Sequence, residues 1–181
     1  MKKQTIQQSC YFTTKRLSVE GWAKHKSSET VFAQSVIDIL SPKVTQSLPD
    51  GWQNIDSISK ALQWLKDRDA DSHFLSVTLS GSGNIIGYIF IYETELATKP
   101  YELRFGYLLA EPFWGQGLGT ELIHGLLLWC EAIGDIKSIS GGVEKHNIGS
   151  IKVLEKTGFT LSEEKGPSDQ VVFYQYEFKQ L

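Results

Sequence analysis

Residues 111–120 have the sequence Glu111-Pro112-Phe113-Trp114-Gly115-Gln116-Gly117-Leu118-Gly119-Thr120. An alternating segment, Tyr101–Leu109, precedes this stretch and predicts a strand. Apolar residues recur at helical spacing from Leu118 to Ile133 and predict a helix. Glycine permits tight turns and the first turn of a helix presents unpaired N–H groups, so the stretch predicts an anion cradle, with phosphate as the anion. A plain tight connection between strand and helix stays open as the alternative.

Two common phosphate motifs do not fit this stretch. A Walker A loop ends in Gly-Lys-Ser/Thr, whereas here Gly119 is followed by Thr120 and Glu121. A dinucleotide fingerprint belongs to an initial strand–helix–strand unit, whereas this stretch follows a predicted hairpin. The predicted cradle therefore belongs to another class of phosphate-binding protein.

Composition places the chain among ordinary soluble domains. The 181 residues are 41% hydrophobic and 22% charged, which is enough for one domain with a core. The net charge of −3 argues against a nucleic-acid partner, which would need a basic surface. No apolar run has membrane-spanning length, so we expect no membrane partner.

The cysteines and the first residues bear on location. Cys10 and Cys130 show no metal or redox spacing, and we expect no metal ion and a reducing, cytoplasmic compartment. Residues 1–10 are polar and lack the apolar segment of a secretory signal. The sequence predicts a polar tail at 1–10 and one domain at 11–181.

The order of elements predicts an α+β fold with a mixed, mostly antiparallel sheet of seven strands and four helices. Apolar residues at helical spacing, beginning with Phe32, follow Ser28 and predict the first helix. Asp56 is expected to cap the second helix. The predicted strands are 11–20, 73–80, 85–93, 101–109, 136–143, 159–162 and 170–178. The predicted helices begin after residues 30 and 56, at residue 118 and after residue 147, and they end before residues 42, 67, 134 and 158.

A second stretch, from Asn147 through Ser150 to Lys156-Thr157-Gly158-Phe159, indicates which family the predicted phosphate site belongs to. Together with Gly106-Tyr107 and residues 114–119, in this order and spacing, it resembles the GNAT family of acyl-CoA N-acyltransferases. Within that family it is similar to the ribosomal-protein N-terminal acetyltransferases. The resemblance extends from Thr14 to Glu177. The family loop commonly begins with Gln or Arg, and the Trp114 found here is common in the ribosomal branch.

The resemblance implies acetyl transfer from acetyl-CoA to an amine by direct attack. The residues that it assigns to the pyrophosphate are Gly115, Gln116, Gly117, Leu118, Gly119 and Thr120. Backbone at Tyr107, Leu108 and Leu109, where the family strand bulges, would hold the acyl arm, with the Leu109 N–H as the donor to the thioester oxygen. The family splays this strand from the next one, and Gly141-Gly142 would help; a bulge is the equal alternative.

The leaving thiolate needs an acid. Many family members have a Tyr four residues before the Gly-Phe pair, where this chain has Leu154. The resemblance instead assigns Asn147 to the pantetheine and Ser150 to the sulfur, since residues three apart share a helix face. The alternative is that Asn147 serves only as an N-cap and Ser150 only as a first-turn residue.

The attacking amine needs a base, directly or through water. Glu102 is the first candidate and Glu144 the second, and both have the alternative of an ordinary surface carboxylate. Arg104 stands where many relatives of this branch have Glu, and His146 is expected to be solvated.

The acceptor is expected to bind at residues 41–54 and 163–170, which correspond to the family's acceptor loops. Phe32, Trp52 and Tyr174 line an apolar slot or belong to the core, and core is favoured for Phe32. A protein or peptide N-terminal amine is the first expectation and a small amine the second, with a non-catalytic acyl-CoA-binding regulator as the alternative class. Monomer and homodimer both stay open.

Overall fold

The computed structural model describes residues 11–22, 28–94 and 99–179. Within these ranges the chain forms eight strands and five α-helices, in an α+β fold. The strands are β1 Tyr11–Thr13, β2 Leu17–Gly21, β3 His73–Leu79, β4 Ile85–Glu93, β5 Tyr101–Leu109, β6 Ile136–Glu144, β7 Thr160–Lys165 and β8 Val171–Glu177. The helices are α1 Glu29–Ile39, α2 Pro42–Thr45, α3 Ile58–Asp71, α4 Leu118–Ile133 and α5 Ile148–Lys156. The predicted tail and Cys10 lie outside the described residues.

The chain divides into two compact units. Of the described residues, the first unit takes those up to Phe90 and Tyr107–Leu118, and the second takes Ile91–Gly106 and those from Gly119 onward. Strands β4 and β5 each contribute to both units. No helix in the described part of the chain combines the length and the apolar character needed to cross a membrane.

The first unit has the strand order β1-β2-β3-β4-β5. Strands β1, β2 and β3 pair antiparallel, with Val19 of β2 opposite Val77 of β3. Its core is aromatic, and most neighbouring rings pack edge to face or tilted, whereas Phe74 and Phe90 stack with an interplanar angle of 6°. The rings of this cluster belong to Trp22, Phe32, Trp52, Trp64, Phe74, Tyr88 and Phe90.

The second unit has the strand order β4-β5-β6-β8-β7. Strands β5 and β6 form a parallel pair, while β8 runs antiparallel to both β6 and β7. Helix α4 connects β5 to β6, which is the crossover that a parallel pair requires. Its apolar stripe is buried as predicted at Leu122, Leu126 and Trp129.

The structure corrects the predictions from the sequence in four local respects. The predicted first strand is two strands, because the chain turns between Thr14 and Leu17. The Thr14 N–H donates to the Leu17 carbonyl oxygen at 2.8 Å, and the Leu17 N–H donates to the Thr14 side-chain oxygen at 3.0 Å. The predicted loop at 41–54 contains helix α2, which Ser41 caps and Pro42 begins.

The cap of α3 is Ser57, whose side chain accepts from the Lys60 N–H, and not Asp56, whose carboxylate instead pairs with the Lys60 ammonium at 2.8 Å. That helix also continues to Asp71 through the charged run, because its buried face, Ala61, Trp64 and Leu65, leaves the charges on the solvated side.

Candidate active site

The glycine loop, defined as residues 114–117, lies between a short 3-10 helix at Glu111–Phe113, which follows β5, and the start of α4. Gly115 and Gly117 have φ angles of 71° and 76°, a region that side chains with a Cβ adopt at a cost. Residues 115–117 are exposed, whereas Leu118, the first residue of α4, is 2% exposed. The helix N-terminus is thus fixed in the core while the loop before it faces solvent. The anion-binding role of this loop remains a prediction.

Three side-chain hydrogen bonds hold this loop. The Trp114 indole N–H donates to the Leu109 carbonyl oxygen at 2.7 Å, and the Gln116 side-chain amide donates to the Pro112 carbonyl oxygen at 2.8 Å. The Arg16 guanidinium donates to the Gln116 carbonyl oxygen at 3.1 Å. These three hydrogen bonds restrain a loop whose backbone contains two glycines with positive φ.

Two cations beside the loop were missed by the sequence reasoning. Arg16 lies in the turn between β1 and β2, and Lys43 lies in α2. The Lys43 ammonium forms an ion pair with Glu111 and lies 5.6 Å from the centroid of the Trp114 ring. Neither residue has a local sequence signal, since Arg16 is separated from Gln116 by 100 positions.

The segment Tyr107–Leu109 carries an irregularity in β5. Leu103 and Phe105 are buried and alternate with half-buried neighbours, but Leu108 and Leu109 are then both buried. The alternation predicted from Tyr101 to Leu109 therefore changes phase before Leu108, and a β-bulge is the usual cause of such a change. The Leu109 N–H remains the predicted donor to the thioester oxygen.

Gly87 of β4 lies against this irregular segment. A Cβ at Gly87 would be 2.3 Å from the Leu108 carbonyl oxygen and 2.7 Å from Leu109 Cδ2. A glycine inside an apolar strand signals such a close backbone approach, so this contact was accessible to sequence reasoning.

Asn147 and Ser150 lie together at the start of α5. The Asn147 Oδ1 accepts from the Ser150 backbone N–H at 3.1 Å, so the N-cap interpretation is correct for this oxygen. The cap uses only the oxygen of the amide, and the two N–H donors of the same group are chemically distinct from it. The pantetheine role of Asn147 and the thiol role of Ser150 remain predictions.

Glu102 is half-exposed and ion-paired. The Lys137 ammonium donates to Glu102 Oε1 at 2.6 Å, and this bond raises the pKa of Lys137 above its ordinary value. The pair lies where β5 and β6 run parallel, with Glu102 opposite Ser138. The predicted base thus has a cationic partner that the sequence did not indicate.

The other charged candidates lie in the same unit. The Glu144 carboxylate, near the end of β6, lies 3.0 Å from the exposed His146 imidazole, an arrangement that joins the second candidate base to a titratable ring. Arg104 forms an ion pair with Glu164, and its guanidinium lies 4.8 Å from the Phe173 ring centroid. Arg104, which stands where many relatives of the ribosomal branch have Glu, therefore contacts a carboxylate and an aromatic ring.

Strands β5 and β6 pair over only part of β6. The register runs from Tyr101 to Phe105, opposite Gly141, whereas β6 stays paired with β8 as far as Glu144. A Cβ at Gly141 would lie 3.0 Å from the Phe105 ring, and one at Gly142 would lie 3.2 Å from the Phe173 ring. Both glycines therefore make room for aromatic side chains.

The predicted acceptor aromatics are buried. Phe32 and Trp52 belong to the aromatic cluster of the first unit and are 1% and 8% exposed. Tyr174, in the second unit, donates its hydroxyl to Glu155, and burial together with this carboxylate raises the pKa of Tyr174. The core interpretation is confirmed for Phe32.

A model of the acetyltransferase (GNAT) domain matches residues 20–160. The chain belongs to the GNAT family. The domain and its neighbours support an acyl-CoA-dependent N-acetyltransferase. In the described part of the chain, no three His, Cys, Asp or Glu side chains are grouped to bind a metal ion. No curated protein matches the chain.

Solved structures share this GNAT fold at low sequence identity. A GNAT-family acetyltransferase of Bacillus anthracis superposes with a TM-score of 0.72 at 14% identity, over 92% of this chain and 98% of its own. RimL, a ribosomal L7/L12 alpha-N-protein acetyltransferase in complex with coenzyme A, has a TM-score of 0.72 at 19% identity, over 92% and 97% of the two chains. The ribosomal-protein-S5-alanine acetyltransferase of Vibrio fischeri has a TM-score of 0.65 at 14% identity, over 92% and 96%.

Proposed function

We propose that this GNAT protein transfers an acetyl group from acetyl-CoA to a primary amine, by direct attack of the amine on the thioester. The first choice of acceptor is a protein or peptide N-terminal amine. Residues 11–181 would form the N-acetyltransferase domain, and the cytoplasm is the proposed location. Acetyl-CoA acts here as the acyl-donor substrate.

The observation that carries the proposal is the geometry of the glycine loop. Exposed backbone with positive φ at Gly115 and Gly117 precedes a helix of 16 residues whose first residue is buried. Successive N–H groups in such a segment converge, and the helix dipole adds partial positive charge. This combination suits the pyrophosphate of coenzyme A, for which the residues from Gly115 to Thr120 are the proposed ligands.

Further residues are proposed for the chemistry. The Leu109 N–H would donate to the thioester oxygen as it gains charge, with Tyr107 and Leu108 beside it. Ser150 would pass a proton to the leaving thiolate and regain one from solvent, and Asn147 would bind the pantetheine through its amide N–H groups. Glu102 would accept a proton from the acceptor's ammonium group, directly or through water, so that the neutral amine can attack.

The acceptor is proposed from likeness to the ribosomal-protein branch. Two of the structural neighbours are described as acetylating ribosomal proteins. The net charge of −3 suits any cationic amine, so a polyamine, an aminoglycoside or a similar small amine is the second choice. One observation favours a non-catalytic acyl-CoA-binding regulator, because Leu154, at the position of the family's acid Tyr, is 2% exposed and belongs to the core.

The experiment combines binding and turnover. Titration calorimetry with CoA and acetyl-CoA tests the loop, and release of free thiol with N-terminal peptides, polyamines and aminoglycosides tests transfer. Binding with thiol release on a peptide supports the proposal, binding without release on any amine supports the regulator, and no binding at millimolar CoA overturns both. Normal turnover of Ser150→Ala would remove Ser150 as the acid.

A matched pair of glycine variants separates the loop from general strain. Gly115 and Gly81 both have positive φ, at 71° and 90°, and a Cβ at either would meet nothing within 4 Å. Alanine at each site should therefore cost about 1 kcal/mol of folding stability. Only Gly115→Ala should also weaken CoA binding, and equal CoA affinity of the two variants would contradict the loop assignment.

A further inference from the structure

We propose that Arg16 is a positioning residue for the CoA-binding loop. The inference rests on the proposed function, since it concerns how the glycine loop is set for the pyrophosphate. Arg16 belongs to the first unit, as do Gln116 and Gly117. Its guanidinium contacts the loop backbone at one definite atom, the Gln116 carbonyl oxygen.

That contact fixes the direction of one peptide group. The Gln116–Gly117 bond is trans, and in a trans peptide the C=O and the N–H point in opposite directions. Because Arg16 binds the Gln116 carbonyl oxygen, the Gly117 N–H is directed away from Arg16. Rotation of this peptide changes ψ of Gln116 and φ of Gly117, and Gly117 has no Cβ to resist it, so without the guanidinium the carbonyl could turn toward the anion. Arg16 therefore presents a donor, and hides an acceptor, on the side where a phosphate would bind.

The guanidinium is projected from a rigid base. The Arg16 carbonyl oxygen accepts from the Ser80 N–H at 2.8 Å, which ties its turn to the β3–β4 turn. The next residue, Leu17, is 0% exposed and begins β2. A side chain held by such a base restrains its partner better than one on a mobile segment.

The same side chain also carries charge. Arginine stays protonated at any pH used for enzyme assays, so the loop always has a cation beside it. A Cβ at Gly117 would lie 3.7 Å from Arg16 Nη2, which places the guanidinium against the loop backbone. Its hydrogen bond sets the orientation of the peptide, and its charge adds a potential that favours an anion at the loop.

The experiment uses Arg16→Met, which keeps the aliphatic stem, and Arg16→Lys, which keeps the charge, with Lys15→Met as the control for loss of a neighbouring exposed cation. Calorimetry is done with CoA, with dephospho-CoA, which lacks the 3′-phosphate, and with pantetheine, which lacks the pyrophosphate. Compared with the wild type, Arg16→Met should bind CoA about tenfold more weakly, as expected for one charge-assisted hydrogen bond, and its affinity for dephospho-CoA should fall by the same factor. Pantetheine binding should not change, and Lys15→Met should behave as the wild type.

Kinetics separates positioning from catalysis and from folding. Arg16→Met should raise the KM for acetyl-CoA and leave kcat at saturation within twofold, with an unchanged Tm, and Arg16→Lys should recover part of the affinity. A loss confined to CoA and absent for dephospho-CoA would overturn the proposal, because Arg16 would then act on the 3′-phosphate. If the wild type binds CoA and Arg16→Met binds it equally well, the proposal is also overturned. If the wild type does not bind CoA, the proposed function is refuted instead.

Discussion

The indole N–H of Trp114 donates a hydrogen bond to the carbonyl oxygen of Leu109 over 2.7 Å. This bond joins the glycine loop to the last residue of β5, which carries the proposed donor to the thioester oxygen. One tryptophan thus braces two backbone segments that the proposed function uses. Its ring is 42% exposed and is accompanied by Lys43, so the indole serves the loop and contributes little to the core.

We expect Trp114→Phe to weaken binding of CoA several-fold and to lower the free energy of unfolding by about 1 kcal/mol, the typical loss for one hydrogen bond. The phenyl ring keeps the contact with Lys43 but lacks the N–H. Calorimetry with CoA and urea denaturation measure the two effects. Lys43→Met is the matched control, because it removes the cation and leaves the indole. If that variant loses as much affinity as Trp114→Phe, the ring contact and not the hydrogen bond holds the loop.

Gly87→Ala should destabilise the protein by about 1–3 kcal/mol, the usual cost of forcing atoms into a packed site. Its new Cβ would lie 2.3 Å from the Leu108 carbonyl oxygen, so β4 and β5 would have to separate at the irregular segment. Gly21→Ala is the control, since a Cβ there meets nothing within 4 Å and lies in the same unit. Urea denaturation of both variants provides the measurement, and equal stability would contradict the described contact.

The sequence predicted α4 to the residue, the N-cap at Asn147 and the hairpin around residues 81–84, because each depends on neighbours in the chain. It missed the break in the first strand and the Ser57 cap, where competing polar residues lie one or two positions apart. It also missed Arg16, Lys43 and Lys137 as partners of site residues. Those contacts join segments 35 to 100 positions apart, and no local pattern encodes them.

Stability should fall at alkaline pH through Tyr88. Burial raises the pKa of Tyr88 far above its ordinary value, and its hydroxyl lies 2.9 Å from Ser35 Oγ. Because the folded pKa is the higher one, this stabilisation is complete below the unfolded value of about 10 and is lost as pH rises above it. Tyr88→Phe should be less stable by about 1 kcal/mol at pH 7. Between pH 7 and pH 11 the wild type should lose about 1.4 kcal/mol of stability that Tyr88→Phe does not lose, so the difference between the two proteins should disappear by about pH 11.

Urea denaturation at a series of pH values tests this slope. Ser35→Ala is the matched control, because it removes the same hydrogen bond but retains the ionisable phenol. It should therefore keep the wild-type slope above pH 10 while Tyr88→Phe flattens it. Parallel slopes for all three proteins would mean that Tyr88 does not carry the alkaline transition.

Glu102→Gln should lower kcat/KM by about 10²-fold or more if Glu102 is the base, the usual contribution of a positioned proton acceptor. The amide is nearly isosteric but cannot accept the proton at neutral pH. The same change also breaks the ion pair with Lys137, in which the two side chains are 44% and 52% exposed. A half-exposed pair adds little to stability, so the folded fraction should not change.

Lys137→Met separates the two effects, because it removes the ion pair and leaves the Glu102 carboxylate in place. We expect this variant to keep most of its activity, since the carboxylate that accepts the proton is retained. Thiol release under steady-state conditions, with the acceptor that gives the highest turnover, measures both variants. Equal losses in both would show that Glu102 acts by holding Lys137, and full activity of Glu102→Gln would leave Glu144, beside His146, or water as the base. Proton transfer by Glu102 therefore requires a large loss of activity in Glu102→Gln and a small loss in Lys137→Met.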